Sequence, residues 1–336
     1  TRVRSSAASD VYKRQAFVSV NASNTSYKRK DYFRYEDNSD IQETDWINFF
    51  AFGAKGGANF NFDDNNKVFA NIGYFEKAPF FNSVFLNNRN IANEDAENQK
   101  IFSAELGYGF RNQNLRVDFN LYRTAWKDKT LARSFTQGNQ QIFANILGVD
   151  ALHQGIELEF EYKPTSKLNI TGMMSLGDWK WDNNIDNVDV LGEDGSTVLG
   201  TINVAIDGVE VGNSAQTTAA LGLNYEVFPG TFVRGDFTYY DRYFADFDPT
   251  VRDSVELQGP FELPDVGLLD LGFTHKFQFG PFDASINANV FNVLDTEYIS
   301  DAREGNVKDP NYKGLVDSNV WYGFGRTYSV GAKINF

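Results

Sequence analysis

Two histidines, His153 and His275, are the only imidazoles among 336 residues, and there is no cysteine. The two lie far apart in the chain, and no His or Cys cluster has the spacing of a zinc site. A Ser-His-Asp hydrolase on a barrel would need a histidine and a serine on neighbouring outward positions. His153, at a junction between loop and strand, reads instead as a rim residue. The glycines from Gly53 to Gly57 sit inside an extended stretch, so they do not form a phosphate-cradling loop. Oxygen ligands are densest in residues 178–210: Asp182, Asn183, Asn184, Asp186, Asn187, Asp189, Glu193 and Asp194. Calcium prefers such groups, but their spacing departs from the EF-hand pattern, and a run of this kind reads as a solvated loop. Trp179, Trp181 and Tyr243 fall at outer strand ends, where girdle aromatics are expected rather than ligand contacts. No catalytic, cofactor or metal residue is assigned, and the chain reads as a non-enzyme.

Composition narrows the class. A net charge of −14 argues against nucleic acid as a partner. Phe and Tyr number 31 and 16, which suits aromatic girdles. No apolar run reaches the roughly 18 residues of a transmembrane helix, but barrel strands alternate and carry no such run. The absence of cysteine fits an oxidising compartment. Residues 1–15 show no periodicity and are expected to be a non-native or unstructured leader, which leaves 16–336 as the folded part.

The elements that must position any site are extended strands, because side chains alternate between faces with period two. After a weakly alternating stretch at 16–35, Phe52, Ala54, Gly56, Ala58 and Phe60 form one apolar series. Others follow at Val68, Ala70, Ile72 and Tyr74; at Phe102, Ala104, Leu106, Tyr108 and Phe110; and at Leu115, Val117, Phe119 and Leu121. Further series are Ile156, Leu158, Phe160 and Tyr162; Ala219, Leu221, Leu223 and Tyr225; and Val233, Phe237 and Tyr239. The opposite positions take Glu157, Glu159, Glu161, Arg234, Asp236, Asp270 and Lys276. Charge is nearly absent from the apolar series, as lipid contact requires, since Lys or Arg there costs about 2–4 kcal/mol at the midplane. His275 is the exception, placed near a turn where that cost fades.

Connections alternate between short and long. Tight turns at Asp63-Asp64-Asn65-Asn66, Asn112-Gln113-Asn114, residues 163–166, Pro229-Gly230 and Gly280-Pro281 separate long connections at 77–99, 127–152, 178–213, 241–264 and 293–325. Short turns on one rim and long loops on the other are the habit of transmembrane barrels. The expected fold is all-β: an antiparallel transmembrane barrel with about 12 strands. A complete 12-stranded barrel acting as channel or enzyme, and a soluble glycan-binding β-sandwich, are the alternatives.

The final stretch sharpens this. Tyr328, Val330, Ala332, Ile334 and Phe336 share one face, and the chain stops on the aromatic. This ending resembles the last strand of bacterial outer-membrane barrels, whose alternating apolar positions and terminal aromatic are read by the barrel-assembly machinery. Ordered segments across 16–336 also resemble TonB-dependent outer-membrane receptors, most closely Bacteroidota-type members. They include Lys55-Gly56-Gly57-Ala58-Asn59, Phe69-Ala70-Asn71-Ile72-Gly73-Tyr74 and Lys77-Ala78-Pro79-Phe80-Phe81. Ser26-Tyr27-Lys28-Arg29-Lys30-Asp31, Glu105-Leu106-Gly107-Tyr108, His153-Gln154-Gly155-Ile156-Glu157, Asn289-Val290-Phe291-Asn292-Val293-Leu294-Asp295 with Tyr298, and Gly325-Arg326-Thr327-Tyr328-Ser329-Val330-Gly331 complete the set.

The resemblance implies the C-terminal half of a barrel of about 22 strands, with the plug and its contact to the TonB complex outside this chain. It further implies a Gram-negative outer membrane, lipid around the barrel, and import of a scarce small molecule or glycan: an iron–siderophore complex, cobalamin or an oligosaccharide. The five long connections would close over ligand, and the small residues at Gly53 to Gly57 would leave room for the plug.

Overall fold

The computed structural model describes all residues except 1–12, 36–39, 86–88, 138–139, 193, 195, 255–258 and 336. The strands are β1 (Arg14–Tyr27), β2 (Ile47–Asn61), β3 (Asn66–Lys77), β4 (Gln99–Arg111), β5 (Leu115–Gln137) and β6 (Gln140–Thr165). They continue as β7 (Leu168–Trp181), β8 (Ile185–Leu191), β9 (Val198–Val204), β10 (Ala215–Phe228), β11 (Thr231–Phe244) and β12 (Glu262–Leu263). The last are β13 (Val266–Phe279), β14 (Phe282–Phe291), β15 (Ile299–Arg303), β16 (Asn319–Tyr322) and β17 (Thr327–Asn335). The main sheet runs β1-β2-β3-β4-β5-β6-β7-β10-β11-β13-β14-β17. Every neighbouring pair along it is antiparallel. The sheet is open: among the described residues β1 pairs only with β2, and β17 only with β14.

The short turns form because their side chains replace the missing ladder. Asp63 Oδ1 accepts from the backbone N–H groups of Asn65 and Asn66, both at 2.8 Å. Asn112 Oδ1 does the same for Asn114 and Leu115, at 2.9 and 2.7 Å. These are Asx turns, which hold a two-strand reversal without a long loop. At Pro229-Gly230 the glycine takes φ 76°, and its N–H donates to Glu226 Oε1 at 2.9 Å.

Register sorts the side chains as the alternation requires. Lys55, Gly73, Ser103, Thr124, His153 and Trp179 lie opposite one another in one row across β2 to β7. Hollows open on this polar face. They are walled by Asp118, Glu159 and Asp236, by Lys67 and Arg116, by Lys55, Asn71 and Glu105, and by Arg234, Lys276 and Asn289. The polar face is therefore the concave, inner wall.

The outer face carries the apolar series. Ile72 is 61% exposed and Val330 79%, which water would penalise and lipid would not. On β5, β6 and β7 this greasy band stops in one row, where Leu121, Ile156 and Leu176 give way to Arg123, Gln154 and Asp178. From Tyr162 to Ile156 the band covers six residue steps, roughly 20 Å along the strand at about 3.3 Å each. His275 does face outward. It sits opposite Thr231 beside the Pro229-Gly230 turn, with Nδ1 and Thr231 Oγ1 2.9 Å apart and its ring stacked on Phe277.

The dry cores lie beyond this band rather than under the sheet. One joins Ala144, Ile146, Val149, Val188, Val204, Ile206 and Phe247. A second joins Phe49, Val84 and Phe85, and a third Ala245, Leu263 and Ala302. The apolar series of the belt do not meet one another across an interior, which removes the sandwich alternative.

Several connections differ from expectation. The first strand ends at Tyr27 rather than continuing to residue 35, and it starts at Arg14, inside the expected leader. Residues 127–137 and 140–152 are strand, not loop: β5 and β6 stay paired out to Gln137 and Gln140. Bulges between Trp126 and Leu131, with Asp128 at φ 59°, bend this extension. Its apolar positions, Ala144 and Ile146 among them, are covered by the β8–β9 hairpin, which lies within the expected acidic loop 178–213. A short helix, α1 (Phe81–Val84), and the β15–β16 hairpin structure two further connections.

Candidate ligand-binding site at the outer end of the inner wall

The five long connections are tied into one collar. Asn145 Nδ2 donates to the Ser83 carbonyl at 3.3 Å, joining the β6 extension to the 77–99 segment. Phe143 and Ala144 pair with Leu191 and Val190 of β8. The Ala205 N–H donates to the Arg252 carbonyl at 2.7 Å, and the Asp246 N–H to the Ala302 carbonyl at 2.9 Å. Arg252 and Glu304, both buried, form an ion pair between the 241–264 and 293–325 segments, and the Arg252 guanidinium lies 4.7 Å from the Phe247 ring centre. Burial pushes the Glu304 carboxyl above its usual range, with Arg252 pulling the other way.

The dense Asp and Asn residues serve this collar. Asn183 accepts from the Asp150 N–H at 2.9 Å and donates to the Gly148 carbonyl at 2.8 Å. Asn184 Oδ1 caps the N–H groups of Ile206 and Asp207, both at 2.8 Å. Asp182 lies 3.4 Å from Lys127. Asp194 holds the turn between β8 and β9 by accepting from the Thr197 hydroxyl and from the N–H groups of Thr197 and Ser196 at 2.9 and 3.1 Å, which keeps its carboxyl well below the usual range. Glu193 lies outside the described residues. Among the described residues no three His, Asp or Glu side chains converge as metal ligands.

Below the collar, the inner wall carries a cluster of rings that the girdle expectation misplaced. Trp179 pairs with His153 and Trp181 with Ala151, so both tryptophans stand on the inner face rather than toward lipid. Strand parity decides it: they share a side with Glu157 and Ser175. His153 lies between two indoles, its ring centre 6.3 Å from that of Trp126 and 5.4 Å from that of Trp179. The Trp179 indole N–H donates to the Tyr122 hydroxyl at 2.9 Å. Lys129 Nζ lies 4.4 Å from the centre of the Trp126 ring. Tyr243 packs beneath the collar against Ala245, Leu263 and Ala302.

Glycine makes room for this arrangement at one position. Gly155 faces Tyr122 across the β5–β6 ladder. A Cβ there would come within 2.5 Å of the Leu176 carbonyl oxygen and 2.6 Å of the Tyr122 hydroxyl. Gly155→Val is therefore expected to displace Tyr122, break its bond to Trp179 and destabilise the wall by about 1–3 kcal/mol. A lowered unfolding temperature of the purified receptor with altered tryptophan emission checks this; an unchanged emission spectrum contradicts it. The space beside Gly53 and Gly57 is likewise taken, by the side chains of Asn21, Asn71 and Phe17.

Lower on the wall, amides bridge carboxylates. Asn71 and Asn120 donate to the two oxygens of Glu105 at 2.9 and 2.7 Å, and Asn120 also donates to Glu157 at 3.3 Å. The expected terminal series Tyr328, Val330, Ala332 and Ile334 lies together on the outer face of β17, while Phe336 lies outside the described residues. The two histidines do not meet: His275 and His153 stand on opposite faces.

Residues 19–293 match the family model described as TonB dependent receptor-like, beta-barrel. No curated protein matches. Among solved structures, the copper transporter OprC aligns with a TM-score of 0.67 at 14% identity, over 96% of this chain and 47% of its own. The siderophore receptor PiuA from Acinetobacter baumannii gives 0.67 at 16%, over 96% and 41%. The ferric yersiniabactin uptake receptor FyuA from Yersinia pestis gives 0.64 at 14%, over 97% and 44%. At these identities the likeness is one of fold, and the chain spans less than half the length of each.

Proposed function

Because the chain belongs to the TonB-dependent receptor-like β-barrel family, we propose that it forms one side of a receptor that imports a scarce nutrient with energy from the TonB complex. The cargo is an iron–siderophore complex, cobalamin or an oligosaccharide. The family places the chain in the outer membrane of a Gram-negative cell. The observation that carries the reading is the division of one open sheet into a lipid-facing belt and a polar concave wall, capped by a collar on one rim only. Cargo arriving from outside meets the collar and the ring cluster first. The plug, contributed by sequence beyond this chain, would lie against the inner wall and be remodelled when TonB pulls. Lipid and the barrel-assembly machinery are the remaining partners, the latter through the face that carries Tyr328, Val330, Ala332 and Ile334. No step here makes or breaks a covalent bond in the cargo, so the reading is transport and not enzymatic.

The test is uptake by cells that express the full receptor. Accumulation of cargo is expected to stop when TonB is deleted or the proton gradient is collapsed, while surface binding persists. Uptake that continues at the same rate without TonB would make the protein a passive pore and contradict the proposal.

A further inference from the structure

We propose that Arg123 docks the phosphate of an outer-leaflet lipid, at the collar-side edge of the apolar belt. The inference rests on the outward face meeting lipid and goes beyond the import reading.

Parity puts Arg123 on the lipid side. On β5 it follows Phe119 and Leu121 in the outward series, and it stands opposite Ala104 of β4 and Gln154 of β6. It is exposed, and among the described residues it has no hydrogen bond or ion pair. The other outward cations nearby are satisfied. Lys100 pairs with Asp128 and Lys127 with Asp150, both at 2.6 Å. Asp178, two strands away, is held by Lys180 and by the Gln154 amide, both at 3.1 Å. Cations without a carboxylate elsewhere at this end have a different setting. Arg242 donates to the Gly177 carbonyl at 2.7 Å, while Arg303 and Lys313 belong to the collar above the strands.

The surroundings of Arg123 are apolar. On the belt side, its neighbours are Leu106, Leu121 and Ile156, which share one row and are exposed. On the collar side, Ala125 lies between Phe102 and Leu152. Ala104 and Ala125 are small beside Phe102, Leu106 and Leu121, so the guanidinium stands in a shallow dip with greasy walls.

That setting selects the occupant. The dip is continuous with the lipid-facing belt, so the molecule that reaches it along this surface is a lipid. An arginine stem can lie on apolar surface while its head rises to headgroup level. There the planar fork matches a phosphate with two parallel N–H···O bonds, and the acyl chains run down over Leu121 and Ile156. A soluble anion would leave the greasy walls bare, and an uncharged headgroup would leave the guanidinium unmatched. The collar stands at this same end, which puts the site in the outer leaflet.

The test is native mass spectrometry of the full receptor in detergent with three probes: lipid A, dephosphorylated lipid A and inorganic phosphate. The wild type is expected to retain lipid A, with retention falling as salt is added, and not its dephosphorylated form. Arg123→Gln is expected to weaken retention about tenfold, as loss of a charge-assisted pair of bonds would, and Arg123→Lys to weaken it less. Lys55→Gln removes the same charge from the concave face and should change nothing. Equal retention by wild type and Arg123→Gln, or equal retention of the dephosphorylated lipid, would overturn the site. Displacement of lipid A by inorganic phosphate at matching concentration would make the ligand a free anion and overturn the lipid assignment. Failure of the import reading is separable, because TonB-independent uptake leaves lipid retention at Arg123 as it was.

Discussion

Leu106→Arg is expected to stop the receptor from assembling in the membrane, whereas Lys55→Glu is expected to be tolerated. Leu106 lies in the middle of the apolar series of β4, opposite Ala70 on one side and Leu121 on the other, and its side chain is exposed on the outer face. A guanidinium there would stand in hydrocarbon at a cost of about 2–4 kcal/mol at the midplane and less toward the edge of the belt, added to the lost lipid contact of leucine. Lys55 is also exposed but stands on the concave face, where a change of sign meets water. Heat-modifiable mobility on gels and recovery in the outer-membrane fraction measure the difference. Equal recovery of the two variants would mean that the outer face does not contact lipid.

Arg252→Met is expected to open the collar without affecting the belt. Arg252 and Glu304 are 0% and 3% exposed as side chains. Removing one partner of a buried pair leaves the other charge uncompensated, at a cost of about 3–5 kcal/mol. The effect depends on pH with a definite sign. Burial already raises the Glu304 carboxyl above its usual range, against the pull of Arg252. Without that pull it rises further, and a protonated Glu304 needs no counter-charge. The damage is therefore small below the unfolded value and grows as pH climbs through the range where the unfolded carboxyl ionises. Limited proteolysis of the collar should be faster in the variant at about pH 8 than at about pH 5. Equal cleavage at both would contradict a buried ionised pair. Glu304→Gln together with Arg252→Met should restore much of the resistance, because no isolated charge remains.

The belt was legible in the sequence because a period of two states directly which residues share a face. Phe102, Ala104, Leu106 and Tyr108 needed no tertiary knowledge to be placed together, and Asp63 and Asn112 announced their turns through the Asx geometry they adopt. The collar was not legible. Lys127, Asp128 and Asp150 look like loop residues, yet they sit in a strand pair bent by a bulge and fastened by their own ion pairs. Ile146 and Val149 are strand-formers whose cover comes from Val188 and Val204, some 40 to 60 residues away in sequence, beyond the reach of any local pattern. Trp179 was misplaced for a different reason. Its aromatic type suggested the membrane interface, whereas its parity relative to Glu157 and Ser175 already put it on the inner wall. Parity is the stronger rule, because the ladder enforces it at every residue and side-chain type does not. The pairing of Lys129 with a ring instead of a carboxylate depends on that same bulge, so no spacing in the sequence announces it.

The central claim is that one face of every strand in the main sheet meets lipid and the other meets water. The chain has no cysteine, so single cysteines carrying nitroxide labels can be walked along β4, from Ser103 through Phe110, in the receptor reconstituted in bilayers. Collision with dissolved oxygen should peak at Ala104, Leu106 and Tyr108, and collision with a water-soluble nickel chelate at Ser103, Glu105 and Gly107, alternating at each step. Labels at Ala104, Leu106 and Tyr108 that escape both reagents would place the apolar face in a dry protein interior and contradict the account.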